Sequence, residues 1–206
     1  NRIATFLTDL WWFDELGLRS VYTTVLWAEI TLGVLFGLVL VVLVAGNLII
    51  AWRMRPFFVP QSPQQAIVER YRQMVDPYLP WVIAGIAILF GVTSGAAVAS
   101  QWEPYLLWAN AREFGTLDPQ FGRDVGFYVF ELPWLSFMQT WLFTSLLLVS
   151  LLTVGAHYLL GGIRPESKGD KILPNVRAHL SLLLAALLAI RAWGYWLDRF
   201  MLNYSP

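Results

Sequence analysis

Two histidines make up the whole imidazole complement of this 206-residue chain. His157 lies near the end of the apolar run Leu132 to Ile163 and His179 near the start of the next one, so on consecutive antiparallel helices the two rings come to similar depth. Paired imidazoles at one depth can hold a haem iron or share a metal ion. Against that use, no Asp, Glu or Cys falls at the same depth to act as a third ligand, whereas a structural zinc takes four. Histidines near a membrane interface also serve simply as hydrogen-bonding groups. A haem-binding redox subunit through His157 and His179 therefore ranks third among the readings below, and no metal site is assigned.

Three charged residues stand beside apolar runs. Glu29 follows Trp27-Ala28 and precedes Leu32, where a long uncharged stretch begins, so it is either a proton or ion site or a solvated rim residue. Arg191 sits among Ile190, Ala192 and Trp193. In hydrocarbon such an arginine must pair, snorkel or line a polar cavity, and Asp198 and Glu29 are its same-side partners; an ion pair that fixes helix packing is the expectation. Asn47 is placed to donate across to a neighbouring helix. Between residues 103 and 131 five acids, Glu103, Glu113, Asp118, Asp124 and Glu131, accompany Arg112 and Arg123, in a spacing that is not that of an EF-hand loop. No P-loop, dinucleotide fingerprint, nucleophile elbow or HExxH run is present, so no catalytic residue is assigned. With no cysteine, disulfides, thiolate nucleophiles and Cys-held clusters are excluded.

The elements that must position these groups follow from composition. The chain is 57% hydrophobic and 14% charged, where soluble domains carry about 45–50% and about 25%. That excess of apolar surface calls for lipid, and 11 Trp, 8 Tyr and 13 Phe supply the rings that settle at headgroup level. A formal net charge of zero gives nucleic acid no purchase. The uncharged run Leu32 to Trp52 makes roughly 31 Å of helix, matching a hydrocarbon core of about 30 Å. The expectation is an all-α, polytopic helical membrane protein with four transmembrane helices, over about 23–52, 80–101, 132–160 and 176–196, plus short interfacial helices. The fourth span is the least clean, because charge-free sequence there runs only from Ala178 to Ile190.

Arginines 53, 55, 70 and 72 precede the second span, and Arg164, Lys168, Lys171 and Arg177 precede the fourth; only Arg112 and Arg123 lie between spans two and three. The positive-inside rule then puts loops 53–79 and 161–175 in the cytoplasm and loop 102–131 outside. Ser62-Pro63-Gln64-Gln65 reads as a capped helix start, with Ile67, Tyr71, Met74 and Val75 on one face of a short surface helix. Gly33 with Gly37 and Gly91 with Gly95 form two GxxxG spacings that let a second helix approach closely. The chain opens on Asn1 with an N-terminus expected to lie outside, so the expectation is a piece of a longer protein with an earlier span.

Three stretches resemble an uncharacterised bacterial, largely actinobacterial, membrane family called UPF0182. They are Trp11-Trp12-Phe13-Asp14-Glu15-Leu16-Gly17, the run Asp118-Pro119-Gln120-Phe121-Gly122-Arg123-Asp124-Val125 continuing to Phe130, and Ala192-Trp193-Gly194-Tyr195-Trp196-Leu197-Asp198-Arg199. Gly161-Gly162-Ile163-Arg164 and Ala178-His179-Leu180-Ser181 fit the pattern too. The resemblance implies a larger protein with about seven N-terminal spans and a big extracytoplasmic region, of which this chain would supply the second to fifth spans. It implies no activity. The leading functional expectation is an integral membrane scaffold or anchor that packs with itself or other envelope proteins, with membrane lipids around it and no cofactor. A transporter or lipid-handling channel, with Glu29, Arg191 and Asp198 lining a cavity, comes second.

Overall fold

A computed structural model of the chain describes residues 2–56, 74, 76–165 and 170–202. The surface helix expected from Ser62 to Val75 lies outside them, Met74 excepted. Helices α1 (Arg2–Glu15), α2 (Arg19–Arg53), α3 (Leu79–Ala99), α4 (Trp102–Ala109), α5 (Leu132–Leu159) and α6 (Pro174–Met201) make the fold all-α, with only two isolated β-bridges among the described residues. Four helical segments, Arg19–Arg53, Asp76–Ala99, Phe127–Leu159 and Pro174–Met201, are long and apolar enough to cross a membrane. Between 17% and 33% of the most apolar stretch of each is buried, leaving most of that surface facing outward, as lipid permits and water does not.

Local sequence explains where the helices stop. Gly17, at φ 70°, ends α1: its amide donates to the Asp14 carbonyl at 3.0 Å and the Leu18 amide to that of Phe13 at 2.8 Å. This is a Schellman closure, which needs a residue in the left-handed region. Gly161, at φ 76°, ends α5 in the same way, with Gly162 donating to the His157 carbonyl at 2.7 Å. Prolines 80, 104 and 174 fall in first turns, where a missing N–H costs no helical bond. Pro133 is preceded by a π-helical turn, Phe127–Glu131, in which the Leu132 amide bonds back to the Phe127 carbonyl. Lacking an amide, Pro133 cannot satisfy the Val129 carbonyl, and the widened turn is the local answer.

The chain divides into two compact units, residues 1–38 with 92–134 and residues 39–91 with 135–206. In the first, α2 buries Ala28, Leu32 and Phe36 at four-residue spacing. Trp134, 5% exposed, has Phe36, Tyr105 and Trp108 rings within 6.1 Å. In the second, Leu40, Val44 and Leu48 of α2 meet Ile83 and Ala87 of α3 and Val149 of α5 in one core.

Candidate functional site

The second unit brings the two histidines together. His157 stands in the last turn of α5, where the Gly161 closure uses its carbonyl, and His179 lies in the second turn of α6. Their rings are nearly perpendicular, and His157 Nε2 is 3.1 Å from His179 Nδ1. His179 Nε2 is in turn 3.0 Å from Asn47 Oδ1 on α2. The Asn47 amide nitrogen donates to the Leu43 carbonyl at 2.7 Å, one turn back on its own helix. That contact fixes the amide, because the flipped orientation would set two oxygens against each other. Asn47 Oδ1 must therefore accept from His179 Nε2–H, a neutral His179 must accept at Nδ1, and His157 must donate from Nε2. One direction of hydrogen bonding thus runs from α5 through α6 to α2.

Space around the pair is tight. A Cβ on Gly162 would stand 2.9 Å from Val176 Cγ2 and 3.3 Å from His157 Nδ1, so that position admits no side chain without displacement. One turn before His157, Thr153 is fully buried and its hydroxyl has no hydrogen-bond partner among the described residues. Toward the other end of the α5–α6 contact, Gln139 donates to the Ile190 carbonyl at 3.2 Å and lies over Gly194, where a Cβ would be 2.7 Å from its amide nitrogen. The arrangement ties three helices through directed hydrogen bonds, buried between the histidines and half-buried at Asn47 and Ile190. An iron shared by both imidazoles would have to replace the proton between the facing nitrogens, and no group of three or more His, Cys, Asp or Glu fit for a metal exists among the described residues.

The other sequence candidates are not gathered at this site. Asn47 does reach a neighbouring helix, but it accepts across the gap rather than donating. Gly33 and Gly95 lie in the first unit with their backbones in contact: a Cβ on Gly95 would collide with the Gly33 carbonyl oxygen and stand 3.4 Å from Gly37 Cα. Gly91, in the second unit, is buried. Glu29 is half-buried, whereas Arg191 and Asp198 are exposed. None of the three charges forms an ion pair with a described residue. Arg191 instead lies over the Tyr195 ring at 4.4 Å, one turn further along α6, as a snorkelling arginine does. Gln139 and Gly194 escaped the sequence reading, although a glutamine inside an apolar run is the signal that marks such a contact.

In the first unit two aspartates organise the segment 110–131. Asp118 accepts from the amides of Gln120 and Phe121 at 3.2 and 2.6 Å and from the Tyr128 hydroxyl at 3.0 Å. Asp124 accepts from the amides of Phe114, Gly115 and Gly126 at 2.9, 2.8 and 2.6 Å. The Phe114 amide first, with those of Gly126, Gly115 and Thr116, holds the Asp124 carboxyl below the usual carboxylate range, although partial desolvation opposes it. Gly115 and Gly122, at φ 72° and 61°, make the turns that let the loop fold around these carboxylates.

Comparison with known proteins bears on the whole chain. The profile of a family described as "Uncharacterised protein family (UPF0182)" matches residues 1–206. A UPF0182 protein of Frankia casuarinae is 42% identical over 193 residues, 94% of this chain and 19% of the relative. One of Kineococcus radiotolerans is 42% identical over 199 residues, 97% of this chain and 20% of the relative. A third, of Streptomyces coelicolor, is 39% identical over 197 residues, 96% and 20%. The chain thus spans about a fifth of the length of these curated relatives, which are mostly actinobacterial. No solved structure matches it.

Proposed function

The chain belongs to the UPF0182 family, and on that premise we propose that it forms the membrane anchor of a longer protein, a scaffold that packs with itself or with other envelope proteins. The observation that carries this reading is the use of intramembrane polar side chains as helix ties: His157, His179, Asn47 and Gln139 all bond another helix. A bundle whose polar groups fasten its own helices is suited to holding a fixed frame. In this reading loops 53–79 and 161–175 face the cytoplasm of a bacterial cell, loop 102–131 faces outward, and the remaining four fifths of the protein include the extracytoplasmic region.

The test is mild-detergent purification of the full-length protein from native membrane, with mass spectrometry of what accompanies it. Stoichiometric protein partners are expected. A homo-oligomer that carries only lipid would favour the transport alternative, whose support is the half-buried Glu29 carboxylate without a bonded partner among the described residues. A haem subunit would announce itself by a visible absorption band lost in His179→Ala.

A further inference from the structure

A pocket of about 660 Å³ opens in the first unit between the loop that follows α4 and the π-helical turn. That volume is in the range of about 300–1,000 Å³ typical of small-ligand sites. Its wall carries both signs of charge, Arg112 and Arg123 with Glu113 and Glu131, and the apolar side chains of Ala111, Leu117 and Phe127. Asp124 also lines it, but its oxygens are occupied by the amides of Phe114, Gly115 and Gly126. The Arg123 guanidinium lies 5.1 Å from the centre of the Phe127 ring. Arg112, Glu113 and Glu131, by contrast, make no side-chain hydrogen bond or ion pair among the described residues.

The π-helical turn Phe127–Glu131, which Pro133 accounts for, places its first and last residues in the wall, and the setting of the pocket points to the kind of ligand. The setting is the membrane rim: α5 begins at Leu132, directly after Glu131, and Phe114 and Leu117 on the loop are 55% and 65% exposed. Exposed apolar side chains around a charged pocket at the start of a span place the pocket at headgroup depth, with the apolar groups turned toward acyl chains.

We propose that this pocket binds the phosphoethanolamine headgroup of a membrane lipid. The Arg112 guanidinium takes the phosphate, for which its planar fork is suited. Glu113 and Glu131 take the ammonium, whose three N–H groups distinguish it from the quaternary ammonium of choline. Unpaired charges of both signs in one pocket match a zwitterion better than a simple anion.

Native mass spectrometry of the full-length protein, titrated separately with phosphatidylethanolamine, phosphatidylcholine and phosphatidylglycerol, tests this. Phosphatidylethanolamine is expected to bind about tenfold more tightly than the other two, the effect of one charge-assisted hydrogen bond. Glu131→Gln should erase that preference while Glu103→Gln, on α4, keeps it. If Glu131→Gln aggregates, Glu113→Gln on the exposed loop carries the same expectation. Equal binding of the three lipids, a preference unchanged in Glu113→Gln, or binding of all three undiminished in Arg112→Gln would overturn the proposal. Glycerophosphoethanolamine that binds as tightly as the lipid would overturn the lipid assignment in favour of a soluble ligand. These readouts concern lipid alone and do not depend on whether protein partners co-purify.

Discussion

At the scale of single residues, the hydrogen bonds that join His157, His179 and Asn47 make sharp expectations. Interhelical hydrogen bonds in membranes contribute about 0.6 kcal/mol on average and up to about 1.7 kcal/mol. His179→Ala removes two at once and leaves the buried His157 donor and the half-buried Asn47 acceptor without partners, so its cost should lie at the upper end or above. Asn47→Ala should cost less. Denaturant unfolding of the purified full-length protein measures both, and strict additivity of the two losses would show that the three groups do not act as one network. Asp124 makes a second prediction, with a definite sign. Its carboxyl is held below the ordinary carboxylate value, so the stabilisation it gives the loop is present above the unfolded pKa and is lost only as pH falls through the lower folded one. The amide shifts of Phe114 and Gly115, followed by NMR on acidification, should keep their neutral-pH values through the ordinary carboxylate range. A midpoint at or above about 4 would contradict this.

At the scale of elements, glycines decide where helices touch and end. Gly95 belongs to a GxxxG spacing with Gly91, a pattern that marks helix contacts. Its contact with Gly33 lies inside one unit of this chain, and even a Cβ there meets a backbone oxygen. Gly95→Ala should therefore destabilise the folded chain by about 1–3 kcal/mol, the usual cost of overpacking. Gly85→Ala, where a Cβ meets nothing within 4 Å, should be neutral or better on the same thermal-melt measurement. Gly161→Ala should cost about 1–2 kcal/mol for its left-handed backbone, whatever the space around it. Pro133 explains the π-helical turn without any appeal to function, yet the same turn delivers Phe127 and Glu131 to the pocket wall.

At the scale of the whole molecule, the cysteine-free sequence is itself an experimental convenience. Single cysteines can be placed in this chain, once any in the rest of the protein have been replaced, and probed with an impermeant maleimide on intact cells. From the charge distribution of the loops, a cysteine at Glu113 should react from outside, and one at Lys171 only after the membrane is opened. The opposite pattern would invert the orientation and move the basic loops to the outer face.

The sequence by itself determined the all-α class, the four apolar helices and the family, because these follow from composition, run length and short local motifs. Gly17 and Gly161, which the sequence reading did not single out, end helices by the same kind of local requirement, a residue in the left-handed region. What a side chain bonds to is another matter, since periodicity says which face a residue occupies and nothing about who stands opposite. His157 and His179 were legible as neighbours in depth, but only the tertiary structure made Asn47 the third member and fixed the direction of the proton donors. Likewise Arg191 was legible as a charge needing company. Its company proved to be Tyr195 on its own helix rather than a carboxylate, a choice set by side-chain reach and ring placement that no one-dimensional pattern encodes.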